Sequence, residues 1–327
     1  MTMRSGNASG FSGWPVLLAC SLLLAGCISG NDDGGDAKIG KAWTDRSGAV
    51  GVQGLLSVTW TGKQLVAVGV VGTVVTSPDG VAWTHRNQNS GLMLTSVTWT
   101  GSRLVAVGYR HANDSDVALT SADGIDWTVH RIGRAGSRLN CVAWGGDQLV
   151  AVGDSGIILT SPDGAAWTRR TSGTAGRLGG VVWNGSLWVA AGGESSVASP
   201  GITLTSPDGM AWDRHSAWLE YPISSITWAG KQFVAVGERG MVATSPDGVE
   251  WTARTDWEQA FVGWLTSVVW TGKTHVAVGS SGVTFSSRDG ITWANRKSGT
   301  TAALASVVWT GSRLVAVGGA GTVMTSP

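Results

Sequence analysis

The stretch Trp60-Thr61-Gly62-Lys63-Gln64-Leu65-Val66-Ala67-Val68-Gly69, followed by Thr76-Ser77-Pro78-Asp79-Gly80-Val81-Ala82-Trp83-Thr84, decides how this chain folds, because variants of it run almost from end to end. Its first Trp stands at Trp60, Trp99, Trp144, Trp183, Trp228, Trp270 and Trp309, with successive gaps of 39, 45, 39, 45, 42 and 39 residues. Periods of that size belong to stacked units that cannot bury their apolar faces alone. Each unit holds four short runs of strand character. The first, as from Leu55 to Trp60, alternates apolar with small or polar residues, the two-residue period of a sheet. The second, Val66-Ala67-Val68, is closed by a Gly nine residues after the first Trp in all seven copies. The third ends in the T-S-P-D-G turn, and the fourth begins at the second Trp.

Seven units of four antiparallel strands predict an all-β, seven-bladed β-propeller. Neighbouring blades must cover each other's faces to offset the entropy of ordering the chain. The Trp residues of the first and fourth strands are the expected fillers, each able to bury on the order of 200 Å². A ring also has to close or leave an exposed edge. The last copy stops at Thr325-Ser326-Pro327, where D-G-x-x-W-T should follow, and the missing half stands at Gly40-Lys41-Ala42-Trp43-Thr44. The seventh blade is therefore expected to take three strands from the C-terminal segment and its fourth from the N-terminal one.

Composition agrees: 49 Gly, 19 Trp, 14% charged residues and a mean hydropathy of +0.11, with no long apolar span beyond the first thirty residues. Residues 1–26 read as a signal peptide, with Arg4, the apolar run Val16 to Leu24, and Leu24-Ala25-Gly26-Cys27. That tetrad resembles the bacterial lipobox, which implies cleavage before Cys27 and acylation of its thiol and new amino group. Ile28 and Ser29, rather than Asp, resemble the pattern sorted to the outer membrane. Residues 27–38 would be a lipidated Cys and a solvated tether, and residues 39–327 the propeller. The expected location is the bacterial cell envelope, with the membrane reached through the lipid anchor. Cys20 leaves with the signal and Cys27 is lipidated, so Cys141 stands alone, where other copies carry Ser. A small buried strand residue is expected there. With 22 basic residues (23 less Arg4) against 22 acidic ones, no positive field favours nucleic acid.

The segments ending in Trp83, Trp127, Trp167, Trp212, Trp251 and Trp293 resemble the Asp-box, or bacterial neuraminidase repeat, with an Asp-to-Trp spacing of four. The resemblance implies that Asp79, Asp123, Asp163, Asp208, Asp247 and Asp289 are structural turn residues, each carboxylate capping backbone groups while Gly takes a positive φ. One carboxylate per turn is too few for calcium. Three residues after the second Trp stands Arg46, Arg86, Arg170, Arg254 or Arg296, with His130 and His215 in the two other copies. These are expected to be solvated or salt-bridged, the sharper alternative being a cationic collar for an acidic partner.

Length varies only between strands two and three and between one unit and the next. From the Gly ending strand two to the turn Asp the count is 10, 15, 10, 16, 10 and 10. Both variable connections leave the same end of an up-and-down sheet, so one face of the disc is uniform and the other individual, as suits loops that bind on a rigid frame. Candidate ligand-binding residues on the individual face are Tyr109, Arg110, His111, Glu194, Trp218, Glu220, Tyr221, Arg239, Trp257 and Trp264, where aromatic and charged groups interleave.

The repeat resembles Asp-box propellers that include sialidases and the photosystem II assembly and stability factors. Short loops, the Arg after the fourth strand and the lipoprotein signal are closer to the second group. That resemblance implies a non-catalytic scaffold that binds other proteins. The residues themselves lead to the expectation of a monomer that binds a protein or a glycan through the variable face, with no cofactor, metal or catalytic residues. A sialidase-like glycoside hydrolase is the alternative, since that family uses a Tyr nucleophile activated by Glu. Only Tyr109 and Tyr221 are available, and Glu220, next to Tyr221, should point the other way if both lie on a strand. A structural or adhesive surface role is the third reading.

Overall fold

The computed structural model describes residues 39–86, 91–112, 115–133, 138–194, 200–215, 219–254 and 263–327. These form seven four-stranded antiparallel sheets; six have their strands in chain order, and the seventh adds the strand Thr44–Asp45 to the last three strands of the chain. In blade 1 the strands are Leu55–Trp60, Leu65–Gly69, Val74–Ser77 and Thr84–His85. The first strands of successive blades pack against one another around the central axis, and the short fourth strands lie outermost.

The Leu-Val-Ala-Val phrase works because the two faces of one strand enter two different cores. Leu65 and Ala67 pack with Val308, Val315 and Val317 of blade 7, whereas Val66 and Val68 pack with Leu92, Leu94 and Leu104 of blade 2. All four are fully buried, and burying a side chain of this size stabilises by roughly 1.5–3 kcal/mol. Blades therefore hold one another rather than themselves.

Every blade also carries a bulge in its first strand, between Leu55 and Ser57 in blade 1 and at the matching place in the others. The bulge brings strand two very close to the segment preceding strand one. A Cβ on Gly69, Gly153 or Gly318 would lie 2.0–2.1 Å from the carbonyl oxygen of Gly54, Arg138 or Ala303. The recurring Gly thus answers a close backbone approach; its own φ, −169° at Gly69, is ordinary extended backbone. The recurring Ser one residue past the bulge joins blades. Ser57, Ser96, Ser225, Ser267 and Ser306 each accept the backbone N–H of Val97, Val142, Val268, Val307 and Val58 in the next blade, at 3.1–3.3 Å. Cys141 takes this position in blade 3 and is fully buried.

Ring closure follows the expected clasp. Thr44 and Asp45 pair with Thr325 and Met324, and Arg46 N–H donates to the Val323 carbonyl at 2.8 Å. The turn that is continuous in other blades is here divided between the two ends of the fold. Gly80 N–H donates to Ser77 Oγ and the Trp83 indole to the Gly80 carbonyl; correspondingly, Gly40 N–H donates to Ser326 Oγ at 3.1 Å and Trp43 to the Gly40 carbonyl at 3.2 Å. Ile39 and Trp43 pack on the core of Val276, Leu304 and Leu314.

Candidate functional site

The variable face is shaped by how each blade turns from strand two to strand three. Blades 1, 3, 5, 6 and 7 use a tight turn with a left-handed residue before a Gly: Val71, Ser155, Arg239, Ser281 and Ala320, at φ of 52–56°. Blade 2 instead spends its insertion on a longer hairpin, with Leu104–Arg110 paired to Ser115–Ser121. Blade 4 extends likewise through Trp188–Gly193 and Gly201–Ser206.

The extended hairpin of blade 2 removes Tyr109 from the surface: it is 1% exposed. Arg138 covers its ring at 5.0 Å and His111, exposed, sits 6.2 Å away. What this corner presents outward is therefore a guanidinium and an imidazole, with Arg110 half-buried beside them. A second group forms at blade 5. Arg239 stacks over Tyr221 at 5.2 Å, and the Tyr221 hydroxyl donates to Glu220 Oε1 at 2.8 Å. The expectation that Glu220 and Tyr221 point apart is corrected here: both lie in a bend before the strand Ile223–Trp228, so strand alternation does not apply.

Beside this group, Arg177 Nε pairs with Asp154 at 3.1 Å. Desolvation weakens the hold of the Arg177 guanidinium on its proton, and the Asp154 and Glu238 carboxylates oppose that effect. Glu194 is held by Arg214 at 2.5 Å. Trp264, 36% exposed, precedes the first strand of blade 6, its backbone N–H donated to Ser280 Oγ. Trp218, Trp257 and Cys27 lie outside the described residues.

The basic residues after the fourth-strand Trp are half-buried, and six of the seven hold a hydroxyl of strand three. Arg86, Arg170 and Arg254 donate through Nε to Thr76, Thr160 and Thr244 at 2.9–3.0 Å, and Arg296 donates to Ser286 at 2.8 Å. His130 and His215 place Nε2 at 2.9 and 2.7 Å from Thr120 and Thr205. They tie the outer strand to strand three, and that outer strand is only two to four residues long in six of the seven blades.

On the opposite, uniform face the six Asp segments adopt one turn. In each, the Asp Oδ1 accepts two backbone N–H groups, from Val81 and Ala82 at 2.8 and 3.0 Å in blade 1. Those bonds hold the Asp79, Asp123, Asp163 and Asp208 carboxyls below the usual range. At Asp289 desolvation pushes the other way, but the N–H groups of Thr292 and Ile291 outweigh it and hold the carboxyl at about 2. The turns also latch blades together: Gln64 and Gln232 donate to the Asp123 and Asp289 carbonyls at 2.6 and 2.7 Å, Arg103 and Arg313 to those of Asp163 and Asp79 at 3.0 and 2.7 Å, and Gln148 to that of Asp208.

A feature that sequence reasoning missed lies on this same face. The first-strand Trp residues, expected as blade fillers, are half-buried, and Trp60, Trp99, Trp144, Trp183, Trp228, Trp270 and Trp309 together line the mouth of the central channel, a cavity of about 720 Å³. Their identical place in all seven repeats was the available signal. Repetition around an axis converts one residue per blade into a ring.

Among the described residues no group of three or more His, Cys, Asp or Glu could hold a metal, and no helix is long and apolar enough to cross a membrane. No protein-family description and no curated protein matches the chain. Solved structures do. "YCF48 bound to D1 peptide" is 16% identical with a TM-score of 0.68, covering 87% of this chain and 94% of that one. "YCF48 from Cyanidioschyzon merolae" is 19% identical with a TM-score of 0.66, over 87% and 98% of the two chains. The WD40 propeller domain of Doa1 gives 9% identity and a TM-score of 0.68, over 88% and 97%. Propellers of different repeat type match equally well, so the likeness defines the class of fold: a closed seven-bladed β-propeller.

Proposed function

We propose that this chain is a non-catalytic, lipid-anchored binding scaffold of the bacterial cell envelope, monomeric, that recognises a protein or glycan through its variable-loop face. The observation that carries the reading is the pair of preassembled cation–aromatic groups on that face, Arg138 over Tyr109 and Arg239 over Tyr221. Arginine and aromatic side chains held in place before binding lose little entropy on association. The fold likeness to a propeller solved with a bound peptide supports a protein partner. A photo-crosslinking benzoylphenylalanine placed at His111 or Tyr221 of the full chain in its native envelope is expected to capture one discrete partner. Capture from Ala82, on the opposite face, with none from those two positions would reject the variable face.

One contact favours a second reading. The Tyr221 hydroxyl on Glu220 is the pairing a sialidase-like glycosidase would need for an activated nucleophile. Turnover of a fluorogenic sialoside by the intact chain, abolished by Tyr221→Phe, would establish it; no turnover leaves the scaffold reading.

A further inference from the structure

We infer that the mouth of the central channel on the uniform face is a second binding site, separate from the variable face, and that its ligand is an uncharged oligosaccharide. The cavity, about 720 Å³, has the size of a small-molecule site. Its wall is one indole per blade, interleaved with Gly, Thr, Asn184 and Val182 of the adjoining strands and turns, and among the described residues no ionisable side chain lines it. Inside the cavity an ionic ligand would shed its hydration against uncharged groups, since the charged residues that follow the lining glycines, Lys63, Asp147, Lys231 and Lys273, are exposed in the turns outside it. Arg103 and Arg313, in the turns that follow two of the lining strands, are held on the carbonyls of neighbouring turns.

The indole N–H groups choose among uncharged ligands. Trp83, Trp167, Trp212, Trp251 and Trp293 of the outer strands donate theirs to Gly carbonyls. The seven inner-strand Trp have no such partner among the described residues, and none of their nitrogens is among the buried unpaired atoms. They are donors open to solvent around a cavity otherwise lined by Gly, Thr, Asn184 and Val182. An apolar side chain or a quaternary ammonium would cover these rings and leave each desolvated donor without an acceptor, which opposes binding. A sugar supplies both needs, with a C–H face for the indole plane and hydroxyl oxygens for the N–H. Seven near-equivalent positions around one axis suit a ligand that itself repeats.

Isothermal titration calorimetry of the intact chain against cellohexaose, maltoheptaose and the hexamer of N-acetylglucosamine tests this. Saturable binding of at least one sugar is expected. The double variant Trp144→Ala/Trp309→Ala, in blades on opposite sides of the channel, should weaken it about tenfold or more, and this variant is expected to melt earlier because both indoles also pack on blade cores. Trp144→Phe/Trp309→Phe keeps the ring packing while deleting two donors, and should weaken binding several-fold. No heat from any of the three sugars at millimolar concentration, or binding that ignores both variants, would overturn the site. Saturable binding of tetramethylammonium or an apolar peptide in place of the sugars would overturn the ligand class. Partner capture at His111 or Tyr221 is read independently, so either proposal can fail without the other.

Discussion

Replacing His275 with Leu should make this protein more resistant to acid. His275 opens strand two of blade 6, where other blades carry Leu65, Leu104, Leu149 and Leu314. It is 1% exposed and lies between the rings of Trp270 and Trp293, 4.3 and 6.1 Å away. Desolvation pushes the imidazole from its ordinary 6.5 down to about 4, the nearby Asp289 carboxylate opposing only in part. Because the folded value lies below the unfolded one, the unfolded chain binds more protons between those two pH values. Stability is then full above about pH 6.5 and falls as the pH drops toward 4. The two and a half units correspond to about 3 kcal/mol in total, of which about 2 kcal/mol is already lost near pH 5. Urea denaturation of the wild-type chain and His275→Leu, near neutral pH and near pH 5, measures it. The variant's advantage should grow by about 2 kcal/mol between the two conditions. A gap that stays constant with pH would refute the burial of a neutral imidazole.

Other substitutions read the same frame. Gly153→Ala would drive a Cβ to within 2.1 Å of the Arg138 carbonyl oxygen, and should cost about 3 kcal/mol or prevent folding, read by the urea midpoint; a neutral result would mean the bulge is more open than described. Val71 is β-branched, 47% exposed and at φ 56°, so Val71→Gly should raise stability by about 1 kcal/mol. Ser306→Ala removes the acceptor for Val58 N–H at the junction of blades 7 and 1, and a loss of about 1–2 kcal/mol is expected from the denaturation curve. At Asp289, held at about 2 by its N–H donors, the carboxylate stabilises above its unfolded value of 3.8 and that contribution fades as the pH falls through about 2. Asp289→Asn should flatten the acid limb below pH 4 and, by removing the carboxylate that partly supports a His275 imidazolium, extend the acid end of the His275 window downward.

The fold was legible because its grammar is repeated seven times. The spacing of Trp60 to Trp309, the Gly nine residues on, and the half-copy at Gly40 to Thr44 each had one geometric reading, and the sheet order agrees. What was illegible was the direction in which half-buried groups face. Periodicity places Trp60 at the end of a strand but cannot say that its outer edge meets six equivalents around a cavity. Arg86 read as a surface cation, because its partner Thr76 belongs to another strand at a register set by the turn. Tyr221 and Glu220 defied the alternation rule because Pro222 follows them and the strand starts only at Ile223; the residue before a proline is itself restricted. Tyr109 looked like a loop residue, and became a buried one when the insertion of blade 2 lengthened its strands.

The claim beneath all of this is that one sheet is shared by the two ends of the fold, and removing residues 39–46 tests it most directly. The truncated chain would lose the packing of Ile39 and Trp43 and the bonds from Gly40 and Arg46 to the last strand, together worth about 3–5 kcal/mol. Its urea midpoint should fall well below that of the intact chain, with the amides of Val323 to Ser326 exchanging faster. An unchanged midpoint would show that the ring does not depend on this strand.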